Sequence, residues 1–315
     1  MTKTLRNLHF AALCSAALIP TTQAETIWAD GVSATSGWYD ANKTHEDDGK
    51  EQWNGDMYYP NDPSGPGAMT DDNMCYAAAA ANLLAWWQGL YQKTESIPSG
   101  VDSLSGKYDL NDTDIWSTFV KNSRKNSGLN VPYAINWFMT GDDLSFNAYL
   151  NKTEGYYSTT VPSGITLYDK NDTTGSYFIQ KHAGTAANII DILSSGRAAA
   201  LELGGHSITL WGATVEGSTI TSLFITDSDD YTGTTDLMEV ELTTGADGKL
   251  TFRFNESDTK TRTIESIYTI NPEISDSWGM ERLPSSDGDT SVPEPTTATL
   301  SLMALAALAA RRRRH

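Results

Sequence analysis

Residues 72–87 read Asp-Asn-Met-Cys-Tyr-Ala-Ala-Ala-Ala-Ala-Asn-Leu-Leu-Ala-Trp-Trp. Alanine and leucine favour helix, and Ala77, Ala80, Ala81, Leu84, Trp87 and Leu90 recur at steps of three and four residues. The spacing predicts a helix with one buried face, which other parts of the chain must cover. Cys75 stands at its start. There the unfilled N–H groups and the positive end of the helix dipole favour a thiolate.

The two ends of the chain read as addresses. Lys3 and Arg6, the apolar run from Phe10 to Ile19, and Pro20-Thr-Thr-Gln-Ala24 have the order of a secretory signal over residues 1–24. Cys14 leaves with that segment, so the exported chain keeps one cysteine. An unpaired thiol in an oxidising compartment is a liability unless it does chemistry, which makes Cys75 a nucleophile candidate. At the other end, Val292-Pro-Glu-Pro-Thr296 precedes the apolar stretch Ala298 to Ala310 and then Arg311 to Arg314. This order resembles the PEP-CTERM sorting tail of Gram-negative bacteria, here over residues 292–315. A short membrane-seeking run with a cationic stop implies transient membrane engagement and sorting machinery as a partner.

Residues 25–274 remain as one domain, and residues 275–291, with Pro284-Ser-Ser-Asp-Gly, read as a linker. The whole chain carries a formal charge of −18, and the two ends together hold six Lys/Arg and one Glu, so the exported part stands near −23. Nucleic acid is excluded as a partner, because phosphate binding needs a cationic face. Gly49 to Thr70 reads as an exposed loop. Helical stretches are expected near Ile115 to Val120 and Thr185 to Leu193. Strands are expected at Arg197 to Leu203, His206 to Ala213, Thr219 to Thr226, Leu237 to Leu242, Leu250 to Asn255 and Thr263 to Ile270. Helices first and strands later indicate an α+β domain of two lobes.

A cysteine nucleophile needs a base, and histidine has the matching proton affinity. His45 lies in a charged loop and His182 precedes a helix. His206 follows Gly204-Gly205, where a substrate backbone approaches closely, and opens the strand His206-Ser-Ile-Thr-Leu-Trp211. A hairpin loop at Glu216-Gly217 would set His206 opposite Asp227, with Asp229 on the same face. A slip of one residue would turn Thr226 and Ser228 toward the histidine instead. Asp227-Ser-Asp229-Asp230 fails the calcium-loop template, since Thr232 replaces its glycine and Met238 its final glutamate.

Trp28, Gly37-Trp-Tyr-Asp-Ala-Asn-Lys43, the Cys75 helix with Trp86-Trp87, and His206-Ser-Ile-Thr-Leu-Trp-Gly212 through Thr226-Asp-Ser-Asp229 together resemble the IdeS/Mac cysteine endopeptidases, which degrade immunoglobulins. The resemblance implies a papain-like two-lobe fold, with the nucleophile helix in a helical N-terminal lobe and an antiparallel sheet in the C-terminal lobe. It implies Cys75 as nucleophile, His206 as general base, Asp227 and Asp229 as orienting acids, and Lys43 as the oxyanion-stabilising cation. No metal or organic cofactor is implied. The expected substrate is an extracellular protein, either immunoglobulin or another glycoprotein. Two rivals use the same residues: a transglutaminase-like or amidase acyl-transfer enzyme, and a surface binding module without catalysis.

Overall fold

The computed structural model describes residues 24–41, 43, 73–91, 113–123, 128–142, 144, 150, 154–171, 176–229, 237–245, 249–255 and 257–283. The signal segment, His45, the Gly49 to Thr70 loop, Asp230 and the sorting tail lie outside them.

Among the described residues, five helices and nine strands follow in the order β1 (Glu25–Trp28), α1 (Cys75–Leu90), α2 (Asp114–Asn122), α3 (Val131–Thr140), β2 (Ile179–Ala183), α4 (Ala186–Ser194), β3 (Ala199–Glu202), β4 (Ser207–Glu216), β5 (Thr219–Thr226), β6 (Met238–Thr244), β7 (Leu250–Phe252), β8 (Arg262–Thr263), β9 (Ser266–Ile270) and α5 (Glu273–Ser277). The strands form one antiparallel sheet in the order β2-β9-β3-β4-β5-β6-β7-β8. The ten-residue β4 is its axis. Along one edge β3 pairs with Ser207 to Leu210 and β1 with Gly212 to Val215, while β5 covers the other edge.

Alternation within the strands builds a layer on each face. Ala198, Ala200, Trp211, Tyr268 and Ile270 join the core that holds α1, α2 and α3. Ala199, Leu201, Ile208, Leu210 and Ile225 join Ile189, Ile192 and Leu193 of α4. The helix α1 is buried all round, contrary to the single buried face expected: every residue from Cys75 to Gln88 is buried. A helix that is apolar on all sides belongs inside, and the five alanines 77–81 are short enough for neighbouring elements to close on it from several directions.

The hairpin register differs from the expectation. Glu216 pairs with Thr219, so the two-residue loop is Gly217-Ser218 and not Glu216-Gly217. Primed turns need a positive φ at the first loop position, and Gly217 supplies it at 65°. At the turn and again at the site end of the hairpin the register moves by two residues, which leaves the side chains there on their original face. Two irregularities, at Thr214/Val215 and at Leu210/Gly212, offset each other, so the pairing at Thr209 with Thr226 keeps the register set at the turn.

Two further expectations change. The strand read from Thr263 to Ile270 is two strands, β8 and β9, separated by Ile264 and Glu265. The domain also continues beyond residue 274, where a linker was expected. Ser275 is fully buried and its Oγ accepts a hydrogen bond from Trp87 Nε1 at 3.0 Å, Trp278 packs on Phe178 with ring centroids 5.0 Å apart, and the Leu283 N–H donates to the Leu90 carbonyl. Linker-like composition in this stretch hid a short helix whose contacts are all long-range. Ending the chain after Ile274 should therefore lower unfolding free energy by about 3–5 kcal/mol, the usual cost of removing a packed tryptophan. Ending it after Leu283 should leave the urea midpoint unchanged.

Candidate active site

Cys75 and His206 are far apart in the sequence and line one cleft at the tip of α1. Cys75 is the first helical residue, and the intrahelical ladder starts only where Ala77 and Ala78 donate to the Met74 carbonyl. The Cys75 N–H therefore precedes that ladder. His206 sits one residue before β4 and Asp227 one residue after β5. Gly204 and Gly205, with φ of 72° and 99°, make the bend that brings the histidine back from β3.

His206 Nε2 donates to Asp227 Oδ1 at 2.6 Å, and the same oxygen accepts the Asp229 N–H at 3.2 Å. Cys75 lines the same cleft, and its sulfur helps raise the proton affinity of the imidazole. With Nε2 held by Asp227, Nδ1 is the nitrogen left for sulfur. In the observed register Asp229 is the residue that would continue the ladder opposite His206, and Asp227 reaches the ring from the diagonal position. Asp229 instead bridges: one oxygen pairs with Lys43 Nζ and the other lies 3.7 Å from His206 Nδ1.

Burial by itself lowers the proton affinity of the His206 ring. Hydrogen bonds to Asp227 and Cys75, and the charges of both, outweigh it and push the pKa up to about 10. The ring is thus an imidazolium at neutral pH. Because the folded value exceeds the unfolded one, this protonation stabilises the fold fully below about pH 6.5 and is lost as pH rises through about 10. His182, by contrast, lies in β2 with Nε2 3.3 Å from Thr269 Oγ1; burial lowers its pKa, helped by Arg197.

Residues that the sequence did not single out hold this geometry. Asn82, two helical turns after Cys75, donates to Thr209 Oγ1 of β4 at 3.0 Å and accepts the Ala41 N–H at 2.9 Å. Thr226 Oγ1 donates to the Tyr39 carbonyl and accepts from Trp211 Nε1, both at 2.9 Å, and the Lys43 N–H donates to the Ser228 carbonyl at 3.0 Å. The 39–43 segment is thereby fixed to α1 on one side and to the end of β5 on the other, which carries Lys43 to Asp229. Asn82 inside an apolar helix was the available signal, since a buried amide needs partners.

The site lines a cleft of about 900 Å³ whose walls include Leu129, Asn130, Glu202, Gly205, Met238, Phe254 and Arg262. His206, Asp227 and Asp229 offer ligand atoms within 4.8 Å of one another. Their charges are already matched, because Lys43 holds Asp229 and the His206 ring holds Asp227. The arrangement favours a proton-bearing ion pair over a metal. A cysteine beside an imidazolium, with a lysine ammonium lining the same cleft, is a set of groups suited to addition to a carbonyl carbon.

The PEP-CTERM protein-sorting motif matches residues 291–314. The chain therefore carries the mark of export and cell-surface association in a Gram-negative bacterium. No curated protein matches the chain.

Two outcomes are expected. Nitrogen NMR of histidine-labelled protein should show His206 protonated until about pH 10, and Asp227→Asn should move that midpoint downward. Asn82→Leu should cost about 1–3 kcal/mol in denaturant unfolding, because it leaves the Ala41 N–H buried without an acceptor.

Proposed function

We propose that this exported protein is a cysteine endopeptidase of papain-like architecture, related to the IdeS/Mac enzymes, that cleaves an extracellular protein. The observation that carries the reading is one cleft lined by Cys75 and by His206, whose Nε2 is held by Asp227 at 2.6 Å. A signal-bearing chain with one retained thiol, set in a cleft against a protonated histidine, supports it further.

In this reading the Cys75 thiolate adds to the carbonyl carbon of a peptide bond, forming a C–S bond and pushing an electron pair onto oxygen. The Cys75 N–H and Lys43 Nζ stabilise that oxyanion. As the carbonyl re-forms, the C–N bond breaks and His206 Nδ1 gives its proton to the departing amine, leaving a thioester. Water then loses a proton to Nδ1 and attacks the thioester carbon, and the sulfur leaves as thiolate beside a restored imidazolium. Asp227 keeps the ring in register through both steps. Asp229 acts on Lys43, holding the ammonium at the site.

The IdeS/Mac resemblance makes immunoglobulin or another extracellular glycoprotein the expected substrate, and the sorting tail adds sorting machinery and transient membrane contact as partners. The purified chain should release peptide fragments from a proteome-derived peptide library, read by mass spectrometry, and Cys75→Ala should release none. Lys43→Met should lower kcat about 10²- to 10³-fold, as loss of one oxyanion donor does. Asp227→Asn should lower it about 10⁴-fold. Incorporation of a labelled amine in place of hydrolysis would reassign the chain to acyl transfer. Unchanged cleavage by Cys75→Ala would remove the nucleophile from the scheme.

A further inference from the structure

Among the described residues, one cation in the cleft, Arg262, meets no carboxylate. Arg262 opens β8 opposite Phe252 of β7, and its guanidinium lies over the Phe254 ring, 5.3 Å from the centroid. The edge-on contact between Phe254 and His206, with centroids 6.3 Å apart, ties this group to the site. Together the two distances bound the guanidinium to within about 12 Å of the imidazole.

The carboxylates lining the cleft are otherwise engaged. Asp227 is held by His206, Asp229 by Lys43, Glu202 accepts the Ser207 hydroxyl at 3.3 Å, and Asp258 accepts the Lys260 N–H at 2.8 Å. Among the described residues none forms an ion pair with Arg262, and its Nε–H is buried with no hydrogen-bond acceptor. In a domain with so large an excess of acidic residues, an arginine left without a carboxylate is unusual. A buried guanidinium donor left unmatched costs free energy unless a ligand supplies the acceptor.

We propose that Arg262 is a specificity-determining residue that receives an aspartate or glutamate side chain of the peptide substrate, within two or three residues of the scissile bond. The carboxylate would accept from the guanidinium in the fork geometry that arginine favours, while Phe254 holds the planar group flat from below. An extended peptide advances about 3.3 Å per residue, so a chain lying across Cys75 brings such a side chain over Arg262 within that span. The inference rests on the proposed peptidase reading and narrows it to substrates with acidic residues near the cleaved bond.

The test uses tripeptidyl chloromethyl ketones carrying Glu, Gln or Lys at each position in turn, with covalent labelling of Cys75 in the full chain timed by intact mass. Glu at one position should label roughly 10- to 100-fold faster than Gln, the range of a hydrogen bond to a charged group. Arg262→Gln should erase that preference, with an unchanged far-UV circular dichroism spectrum reporting an intact fold. Arg262→Glu should turn the preference toward Lys. Equal rates with Glu and Gln at every position, or a Glu preference that survives Arg262→Gln, would overturn the assignment of Arg262 alone. Failure of every reagent to label Cys75 would overturn the thiol-peptidase reading and this inference with it.

Discussion

A single buried amide holds together parts of the chain that are far apart in sequence. Asn82 donates to Thr209 of the central strand and accepts from Ala41 of the segment that ends at Lys43. It lies two turns along the helix that starts with Cys75, so the thiol, the strand that follows the imidazole and the residues around Lys43 share one rigid reference. A methyl or isobutyl group at this position would pack as well but would hold nothing in register. Hydrogen bonds have direction, and here the direction aligns a site.

The same economy governs charge. The domain is strongly acidic, yet the two aspartates at His206 each face a specific cation: Asp227 the imidazolium, Asp229 the lysine. Partly buried pairs are weakly screened, so they hold protons and side-chain positions that exposed pairs would not. The raised proton affinity of His206 is a consequence of that enclosure, since the two hydrogen-bonded partners act on it in a medium that dilutes their charge little. The sorting tail gives this chemistry its setting, at the outside of the cell.

The helix α1 and the hairpin β4–β5 were legible in the residues because their signals are local: an alanine and leucine run in one, β-branched residues around a glycine turn in the other. The hairpin loop was misplaced by one residue at each end, since Glu216-Gly217 and Gly217-Ser218 both contain the glycine and only the demand for positive φ at the first position separates them. The error was harmless to the site, because a shift of two preserves the face on which a side chain lies. α3 and α5 were not read at all. Val131-Pro-Tyr-Ala-Ile-Asn-Trp137 is too apolar for a clear period, and Glu273 to Ser277 is a single turn made stable by Trp87, Phe178 and Leu90 from elsewhere.

What the sequence determined by itself was the set of candidate groups and their address: a thiol at a helix start, a histidine after two glycines, two aspartates after a strand, and a C-terminal tail built for sorting. These follow from residue types and short-range order. Tertiary structure alone decided which partners those groups have. Asp227 takes the imidazole and Asp229 the lysine, Asn82 fixes their spacing, and among the described residues Arg262 meets no carboxylate in the cleft. Such pairings depend on distances between residues separated by tens to hundreds of positions, and a linear pattern carries no information about them until the sheet has closed against the helix.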